Sequence, residues 1–281
     1  MSKNSDFSYR YATNQKNQSA LPQSFLSKRS GNTMSDFSKF SRVFHTVMAL
    51  NGLSALATEE SAKKFHLLTE RMLEINQRMN LTAIKEEETI ILLHYVDSLT
   101  LSTFLPQNAR IADIGCGAGF PCLPLGICRP DLSILALDST EKRIRYVKET
   151  ADLLGCDGIN AVTMRAEEGG KGIYREQFDF CTARAVAALP LLAELCLPYV
   201  KVGGTFLAMK GKKGEEELNA AAGAIQKLGG TVTALHPITL RRNDSANEEA
   251  ETRYLIEIKK IKPTSAEFPR AWGKILKKPL S

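Results

Sequence analysis

A helical period governs the apolar positions in the first part of the chain, after a polar start. One run recurs at three- and four-residue spacing, namely Phe65, Leu68, Met72, Ile75 and Met79. This spacing places the apolar side chains on one face and predicts an amphipathic helix. Thr58 can cap that helix, and Glu59 and Glu60 place acids in its first turn. A second helix is predicted for residues 86–104, ending before Pro106.

From residue 110 the pattern changes to short apolar runs separated by helical stretches. Strands are predicted at residues 111–114, 133–138, 161–165, 178–183 and 205–210, with two further candidates at 231–240 and 254–260. Helices are predicted at residues 121–128, 141–154, 189–197 and 215–228. Thr140 can cap the second of these helices and Gly155 can end it. This alternation predicts a parallel sheet covered by helices on both faces.

The start of the chain differs from the rest. Residues 1–35 are rich in Ser, Asn, Gln and Lys and are predicted to form a disordered extension. A transit peptide would share this composition, and Met34 is an alternative start. We therefore divide the chain into this extension, an N-terminal helical region at 36–105 and a third region at 106–281.

The amino-acid composition indicates the class of protein, the cellular compartment and where charge is concentrated. The 281 residues are 43% hydrophobic and 24% charged, which is ordinary for a globular protein. No apolar stretch suggests a membrane span or a secretory signal. The six cysteines form no C-x-x-C pair, so we expect reduced thiols, a cytoplasmic protein and no metal site. Residues 253–281 hold eight basic and two acidic residues, which indicates either a contact with a polyanion or a solvated basic tail.

A glycine-rich loop follows the first predicted strand. The strand ends near Asp113, and the loop at 115–119 carries glycine at every second position. Glycines let a ligand lie against bare backbone, and the first turn of an open α/β sheet lies where ligands bind. A dinucleotide loop needs a third glycine where this chain has Phe120 or Cys122, and no Gly-Lys-Ser/Thr follows. The acid at the strand end instead suits the cationic amino-acid end of S-adenosylmethionine, which we expect as the cofactor.

Acidic residues follow the next two predicted strands. Asp138 ends the second strand, where an acid can accept hydrogen bonds from ribose hydroxyls. The third strand is predicted to end at Arg165, Ala166 and Glu167, placed to meet the adenine. Their order on three successive strands indicates one nucleoside-binding site.

Several further segments, together with the glycine loop, resemble one family. They are residues 80–84, 94–99, 138–143, 165–168, 182–186, 210–211, 268–273 and 278–280. With residues 113–125 they are similar to the ribosomal RNA small-subunit methyltransferase G family, also called glucose-inhibited division protein B. The resemblance runs from about residue 40 to the end of the chain.

The resemblance implies a class I S-adenosylmethionine-dependent methyltransferase. The expected α/β fold is Rossmann-like, a mostly parallel seven-stranded sheet with helices on both faces and an N-terminal helical extension. Residues 106–281 would form the S-adenosylmethionine-binding domain with its basic C-terminal strip. The implied reaction is methylation of N7 of one guanine, guanine 527, in 16S ribosomal RNA. The implied partner is that RNA, the small ribosomal subunit or its precursor, with no membrane, and the enzyme is expected to be a monomer.

The residue patterns and the resemblance together give two sets of expected site residues. Cofactor-binding residues are expected to be Asp113, Gly115, Gly117, Gly119, Phe120, Asp138, Ala166, Glu167 and Arg184. RNA-binding residues are expected to be Lys142, Arg143, Lys210, Lys212, Lys213, Arg270, Lys274, Lys277 and Lys278. The last four lie within a basic strip that runs from Lys259 to Lys278.

The implied reaction does not require a general base from the protein. Guanine N7 has a lone pair and no proton, so its attack needs alignment and no general base. No residue is therefore named as certainly catalytic. Arg184 is a candidate for positioning, through the cofactor or a phosphate, with a structural ion pair as the alternative. His94 is expected to pair with Asp97 one turn on, and Trp272 to pack in the core or stack on a base.

Three positions depart from the family's usual pattern. Cys116 stands for Ser or Thr, Cys122 for Gly and Ala188 for Pro. We expect Cys122 to narrow the cofactor pocket beside the helix start. Rival hypotheses remain a nucleotide-dependent oxidoreductase, a non-catalytic RNA-binding factor and a methyltransferase with another acceptor.

Overall fold

The structure, a computed structural model, describes residues 33–242 and 250–280. The extension predicted for the start of the chain, and with it the question of Met34, therefore falls almost wholly outside the described residues. In the described part no helix combines the length and apolarity needed to span a membrane.

Two long helices precede the sheet, α1 (Thr33–Leu50) and α2 (Glu59–Met79), with a 3₁₀ turn between them. The predicted cap of α2 is confirmed. Thr58 Oγ1 accepts a hydrogen bond from the Ser61 amide at 3.1 Å, and Ser61 Oγ accepts one from the Thr58 amide at 2.9 Å. This reciprocal pair is a capping box, which satisfies two amides at the helix start.

The helix predicted for residues 86–104 is not continuous. It forms four consecutive segments, which we call the segmented helix: Glu87–Ile90, a π segment at Ile91–Val96, Asp97–Leu99 and a 3₁₀ segment at Thr100–Phe104. A π segment holds one residue more per hydrogen-bonded turn than an α-helix. It therefore turns the side chains after it, Asp97 among them, to a new direction.

In residues 33–242 and 250–280, seven strands form one sheet in the order β3-β2-β1-β4-β5-β7-β6. They are β1 (Arg110–Ile114), β2 (Ser133–Asp138), β3 (Ile159–Thr163), β4 (Phe178–Arg184), β5 (Val200–Lys210), β6 (Gly230–Leu240) and β7 (Glu251–Lys260). β1 to β5 pair in parallel, whereas β7 pairs antiparallel with both β5 and β6. The predicted mostly parallel, seven-stranded sheet is confirmed.

Helices follow the strands in turn and cover the sheet. They are α3 (Cys122–Cys128), α4 (Glu141–Leu154), α5 (Ala166–Lys171), α6 (Leu189–Cys196), α7 (Gly214–Lys227) and α8 (Trp272–Lys277). Side chains of the strands alternate between the two faces, as the two-residue period requires. In β2, Ile134 joins the apolar cluster with α1 to α4, whereas Leu135 joins the cluster with α6 and α7.

Two local predictions are wrong. β3 ends at Thr163, so Ala166 begins helix α5 instead of ending a strand. Thr140 precedes α4, but its side chain makes no capping bond. Asp138 takes part of that role, because its Oδ1 accepts from the Thr140 amide at 2.8 Å. Gly155 ends α4 in the left-handed conformation, as predicted.

Candidate active site

The loop between β1 and α3 gives each of its three glycines a different role, and all three have positive φ. A Cβ on Gly115 would lie 2.6 Å from Val186 Cγ2, so that glycine permits close packing on the loop after β4. A Cβ on Gly119 would lie 2.3 Å from Leu123 Cδ1. At Gly117 a Cβ would meet nothing closer than 3.9 Å. Gly117 is therefore the one of these three glycines whose missing Cβ faces open space.

A cavity of about 400 Å³ lies at the carboxyl ends of β1, β2 and β3, and we call it the first cavity. It brings together four of the predicted cofactor residues: Gly115, Asp138, Ala166 and Glu167. Arg143 and Trp272 also line it. The ligand position expected for an open α/β sheet is thus a formed concavity in this chain.

Asp138 links two backbone segments at the floor of the first cavity. Its Oδ2 accepts from the Gly117 amide at 3.1 Å, and its Oδ1 accepts from the Thr140 amide. The Arg143 guanidinium lies 3.7 Å from the same carboxylate. Each oxygen keeps a lone pair for a further donor. Glu167, also on the wall, accepts from Arg165 Nε at 2.8 Å.

Asp113 lies beneath the loop and does not line the first cavity. It is buried, and its Oδ2 accepts from the Cys122 amide at 3.1 Å. Its Oδ1 has no hydrogen-bond partner among the described residues. Desolvation by burial raises the pKa of Asp113 to about 7, against the hydrogen bond from Cys122, which lowers it. This orphaned oxygen is an acceptor that a cationic group could satisfy.

Cys122 does not narrow the pocket as expected. It is fully buried beside Cys116 and Asp113 and does not line the first cavity. Burial raises the pKa of its thiol well above the ordinary value. All six cysteines are free, and among the described residues no three His, Cys, Asp or Glu side chains are grouped to hold a metal.

Phe120 and Arg184 form part of a layer next to the glycine loop. The Phe120 ring stacks on His94 with a centroid distance of 4.6 Å, and the Arg184 guanidinium lies 5.1 Å from the same ring centroid. His94 Nε2 contacts Thr82 Oγ1 at 2.9 Å, while its Nδ1 has no partner in the described part of the chain. Burial, and then the charge of Arg184, lower the pKa of His94 to about 4.

The expected pairing of His94 with Asp97 is wrong, because Asp97 pairs with Arg184. Arg184 Nη1 donates to Asp97 Oδ2 and to the Leu93 carbonyl, both at 2.9 Å. Arg253 Nε lies 3.8 Å from Asp97 Oδ1. Asp97 follows the π segment at Ile91–Val96 and lies against Arg184 of β4, a contact that local spacing does not predict. Arg184 thus makes the structural ion pair that was the alternative for it.

A second cavity, of about 460 Å³, lies over the carboxyl ends of β4 and β5 and over β7. Arg184 and Asp97 line it, so Arg184 belongs to this cavity and not to the first. Ala185 lines both cavities. Its φ of +56° is rare for a residue with a Cβ, so the chain turns sharply between the two cavities.

Lys210 is a correction to the expected RNA-binding residues. Its side chain is 8% exposed, and its ammonium donates to the Ala187 carbonyl at 2.8 Å and pairs with Glu217 at 2.7 Å. Glu217 Oε2 also accepts from the Leu189 amide at 2.7 Å. Lys210 and Glu217 therefore hold the loop after β4, and Lys210 is not free to bind a phosphate.

Arg270 and Lys260 are a second correction to the basic strip. Arg270 forms a two-pronged ion pair with the fully buried Glu194, and its amide donates to the same carboxylate. Lys260 is fully buried and donates to the carbonyls of Leu197 and Val200. Both side chains fasten the C-terminal segment to the body. The other expected RNA-binding residues are exposed, namely Lys142, Arg143, Lys212, Lys213, Lys274, Lys277 and Lys278.

The family model and the sequence relatives agree on one family. The family model GidB, rRNA small subunit methyltransferase G, matches residues 61–244. The chain is 44% identical over 225 residues to "Ribosomal RNA small subunit methyltransferase G" of Macrococcus caseolyticus (strain JCSC5402), a match that covers 79% of this chain and 92% of that protein. It is 44% identical over 230 residues to the protein of the same name from Staphylococcus epidermidis, covering 81% and 92%. Among solved structures, a SAM dependent methyltransferase from Aquifex aeolicus is 15% identical with a TM-score of 0.47, over 68% of this chain and 97% of that one.

Proposed function

Because this chain belongs to the rRNA small subunit methyltransferase G family, we propose that it transfers a methyl group from S-adenosylmethionine to N7 of a guanine in 16S ribosomal RNA. By the family resemblance, that base is guanine 527. The observation that carries the proposal is the first cavity, in which the glycine loop, Asp138 and Glu167 converge.

The residues of the first cavity fit the proposed cofactor. Asp138 can accept from ribose hydroxyls, and the wall at Ala166 and Glu167 can receive the adenine. Gly115 brings bare backbone to the cavity wall, and Gly117, two residues on and outside the lining, leaves open space at its missing Cβ. The unpaired Oδ1 of the buried Asp113, also outside the lining, is an acceptor that an ammonium group would satisfy. When bound, S-adenosylmethionine supplies a methyl group on a positively charged sulfur.

The chain's own task is then to align the acceptor. Guanine N7 carries a lone pair and loses no proton when its bond to the methyl carbon forms, so no general base is required. His94, which is half-buried, lines the second cavity and stacks on Phe120, is therefore not needed as a base. Holding two reactants in line can lower a barrier by roughly 7–11 kcal/mol.

The RNA partner is bound by positive charge around the two cavities. Lys212 and Lys213 follow β5, and Lys274, Lys277 and Lys278 lie on or beside α8. Lysines at such positions neutralise phosphates, which makes binding depend on salt. A loop guanine is reached most easily when it is splayed out of its stack. We place this reaction in the cytoplasm, with one copy of the chain acting on the RNA, the small subunit or its precursor.

The test is deletion of the gene followed by mapping of 7-methylguanosine in 16S RNA. We expect one such modification to disappear and to return when the purified protein and S-adenosylmethionine are added to small subunits from the deletion strain. Persistence of the modification at its full level would overturn the proposal. Loss of a methyl group from another atom would retain the methyltransferase and reject N7.

A further inference from the structure

The second cavity is a formed, mainly apolar concavity that also holds charged side chains, and the proposed cofactor does not account for it. Its volume of about 460 Å³ lies within the range of roughly 300–1,000 Å³ usual for small-molecule sites. Met209, Ile238 and Leu255 give it apolar walls, and Tyr254 adds an aromatic ring on which a base can stack. Ala185, which also lines the first cavity, is the point where the two sites meet.

The position of the second cavity relative to the first indicates the orientation that a bound guanine would need. N7 must face the cofactor, and therefore the β4 side where the cavities meet. The N1–H and 2-amino groups lie on the opposite edge of the base and would then face β5 and β7. Both groups are hydrogen-bond donors, so the protein needs an acceptor on that side.

Two carboxylates line the second cavity, and they differ in how many of their oxygens are already engaged by neighbouring groups. Asp97 lies between the guanidinium groups of Arg184 and Arg253, which balance its charge. Glu217, on α7 beside the end of β5, has one oxygen anchored twice, by the Leu189 amide and by Lys210, each at 2.7 Å. No hydrogen bond reaches its Oε1 from residues 33–242 or 250–280. Glu217 is thus an oriented acceptor with one oxygen available.

We propose that the second cavity receives the guanine that is methylated and that Glu217 accepts hydrogen bonds from its N1–H and 2-amino edge. This proposal rests on the proposed function and adds the residue that selects the base. Glu217 is half-buried, and a bound base would cover it. A covered acceptor left unpaired by the wrong base is costly, so such a contact discriminates strongly. Glu217 acts on the base without touching the reacting atom.

The substrate arm of the test changes one group on the base. Small subunits are assembled from unmodified 16S RNA that carries either guanosine or inosine at the mapped position. Inosine keeps N7, O6 and N1–H and lacks only the 2-amino group. With tritiated S-adenosylmethionine, we expect methylation of the inosine subunits to be about 10- to 100-fold slower. Equal rates on both substrates would overturn the role of Glu217.

The protein arm uses Glu217→Gln, which keeps an oxygen for the Leu189 amide and Lys210 and replaces the available acceptor by a donor. We expect a loss of about 10- to 100-fold with guanosine and a guanosine-to-inosine ratio near one. Lys210→Met, which loosens the loop after β4 but keeps the carboxylate, is expected to slow both substrates and leave the ratio unchanged. Glu216→Gln, an exposed neighbour on the same helix, serves as the matched control.

Calorimetry of S-adenosylmethionine and thermal unfolding accompany each variant. We expect unchanged cofactor affinity for Glu217→Gln. If Glu217→Gln slows both bases equally, which is the result expected for Lys210→Met, Glu217 only holds the loop after β4 and the proposal is overturned. Failure of the unmodified enzyme to methylate guanine N7 is a separate outcome, which rejects the proposed function and this inference with it. If Glu217→Gln does not fold, the inosine comparison with the natural chain still decides.

Discussion

At the residue scale, the three glycines of the cofactor loop should respond differently to the same added methyl group. Only Gly117 faces open space at its missing Cβ, so Gly117→Ala should fold and place a methyl group where the ligand approaches. We expect a loss of about 1–2 kcal/mol in the free energy of unfolding from the positive φ. Affinity for S-adenosylmethionine, measured by calorimetry, should fall by about tenfold or more.

Gly52 is the control for the backbone strain. Its φ is +72°, and a Cβ there would meet nothing within 4 Å. Gly52→Ala should therefore lose similar stability and keep its cofactor affinity. Equal affinities in the two variants would show that the ligand does not approach Gly117.

Asp113 should give the protein an unusual pH dependence, because burial raises its pKa to about 7. In the unfolded chain an aspartate releases its proton near pH 4 (about 3.9). Between these values the folded protein holds more protons, so the free energy of unfolding falls as pH rises to about 7 and is level above it. Asp113→Asn removes this effect. Relative to that variant, the natural protein should lose more than about 1 kcal/mol between pH 5 and pH 8 in urea unfolding.

Asp131 provides the opposite case. A hydrogen bond from Arg129 lowers its pKa to about 2, so both of its proton-binding equilibria lie below pH 5. Asp131→Asn should change stability by the same amount at pH 5 and at pH 8. If Asp113→Asn behaves in that same way, Asp113 is ionised in the folded protein throughout this range.

At the scale of elements, a threonine directly before a helix caps the helix in one case, at Thr58, and does not cap it in the other, at Thr140. Thr58 forms a capping box with Ser61, so Thr58→Ala should lower the free energy of unfolding by about 1 kcal/mol. Thr140 occupies the same position before α4 without a capping bond, and Thr140→Ala should change stability by less than about 0.5 kcal/mol. Chemical denaturation of both variants measures the difference. Equal losses would contradict the role of the capping box.

The spacing of apolar residues predicted most of the helices and strands, because elements that pack in the core repeat apolar residues at regular intervals. The alternation in β2 and the left-handed Gly155 after α4 are read directly from residue type and spacing. The segmented helix carries no such signal, since no glycine or proline interrupts residues 86–104. Asp97, directly after its π segment, pairs with Arg184, which lies 87 positions away. Such a contact depends on tertiary packing, and no short stretch of the sequence indicates it.

The same limit applies to the candidate site. The glycine loop and Asp138 are short-range motifs that follow adjacent strands, so their meeting in the first cavity followed from the fold class. Lysines look alike in a sequence, whether they are buried partners, as Lys210 and Lys260 are, or exposed ones. Only the structure separates them. Glu217 was missed because a glutamate in a helix usually faces solvent.

At the scale of the whole molecule, the formal charge of +6 is divided between structural and available cations. Three cations bind carboxylates or carbonyls within the protein, namely Lys210, Lys260 and Arg270. The exposed lysines around α8 remain, and this group lies in the same chain segment as Trp272, which lines the first cavity. Positive charge near the cavity mouth would hold the RNA backbone while the base enters.

The salt dependence of RNA binding tests this division of charge. The variant with Lys274, Lys277 and Lys278 all changed to Ala should bind a 16S RNA fragment more weakly at low salt and converge with the natural protein at high salt. Each lost phosphate contact lowers the slope of log affinity against log salt by about 0.7 for single-stranded RNA, so up to about two units are expected for three contacts. Lys63→Ala is the control, because Lys63 is exposed on α2 and pairs with Glu59 within its own helix. A triple variant with an unchanged slope would place the RNA backbone elsewhere, whereas an equal change in Lys63→Ala would mean that net charge alone attracts the RNA.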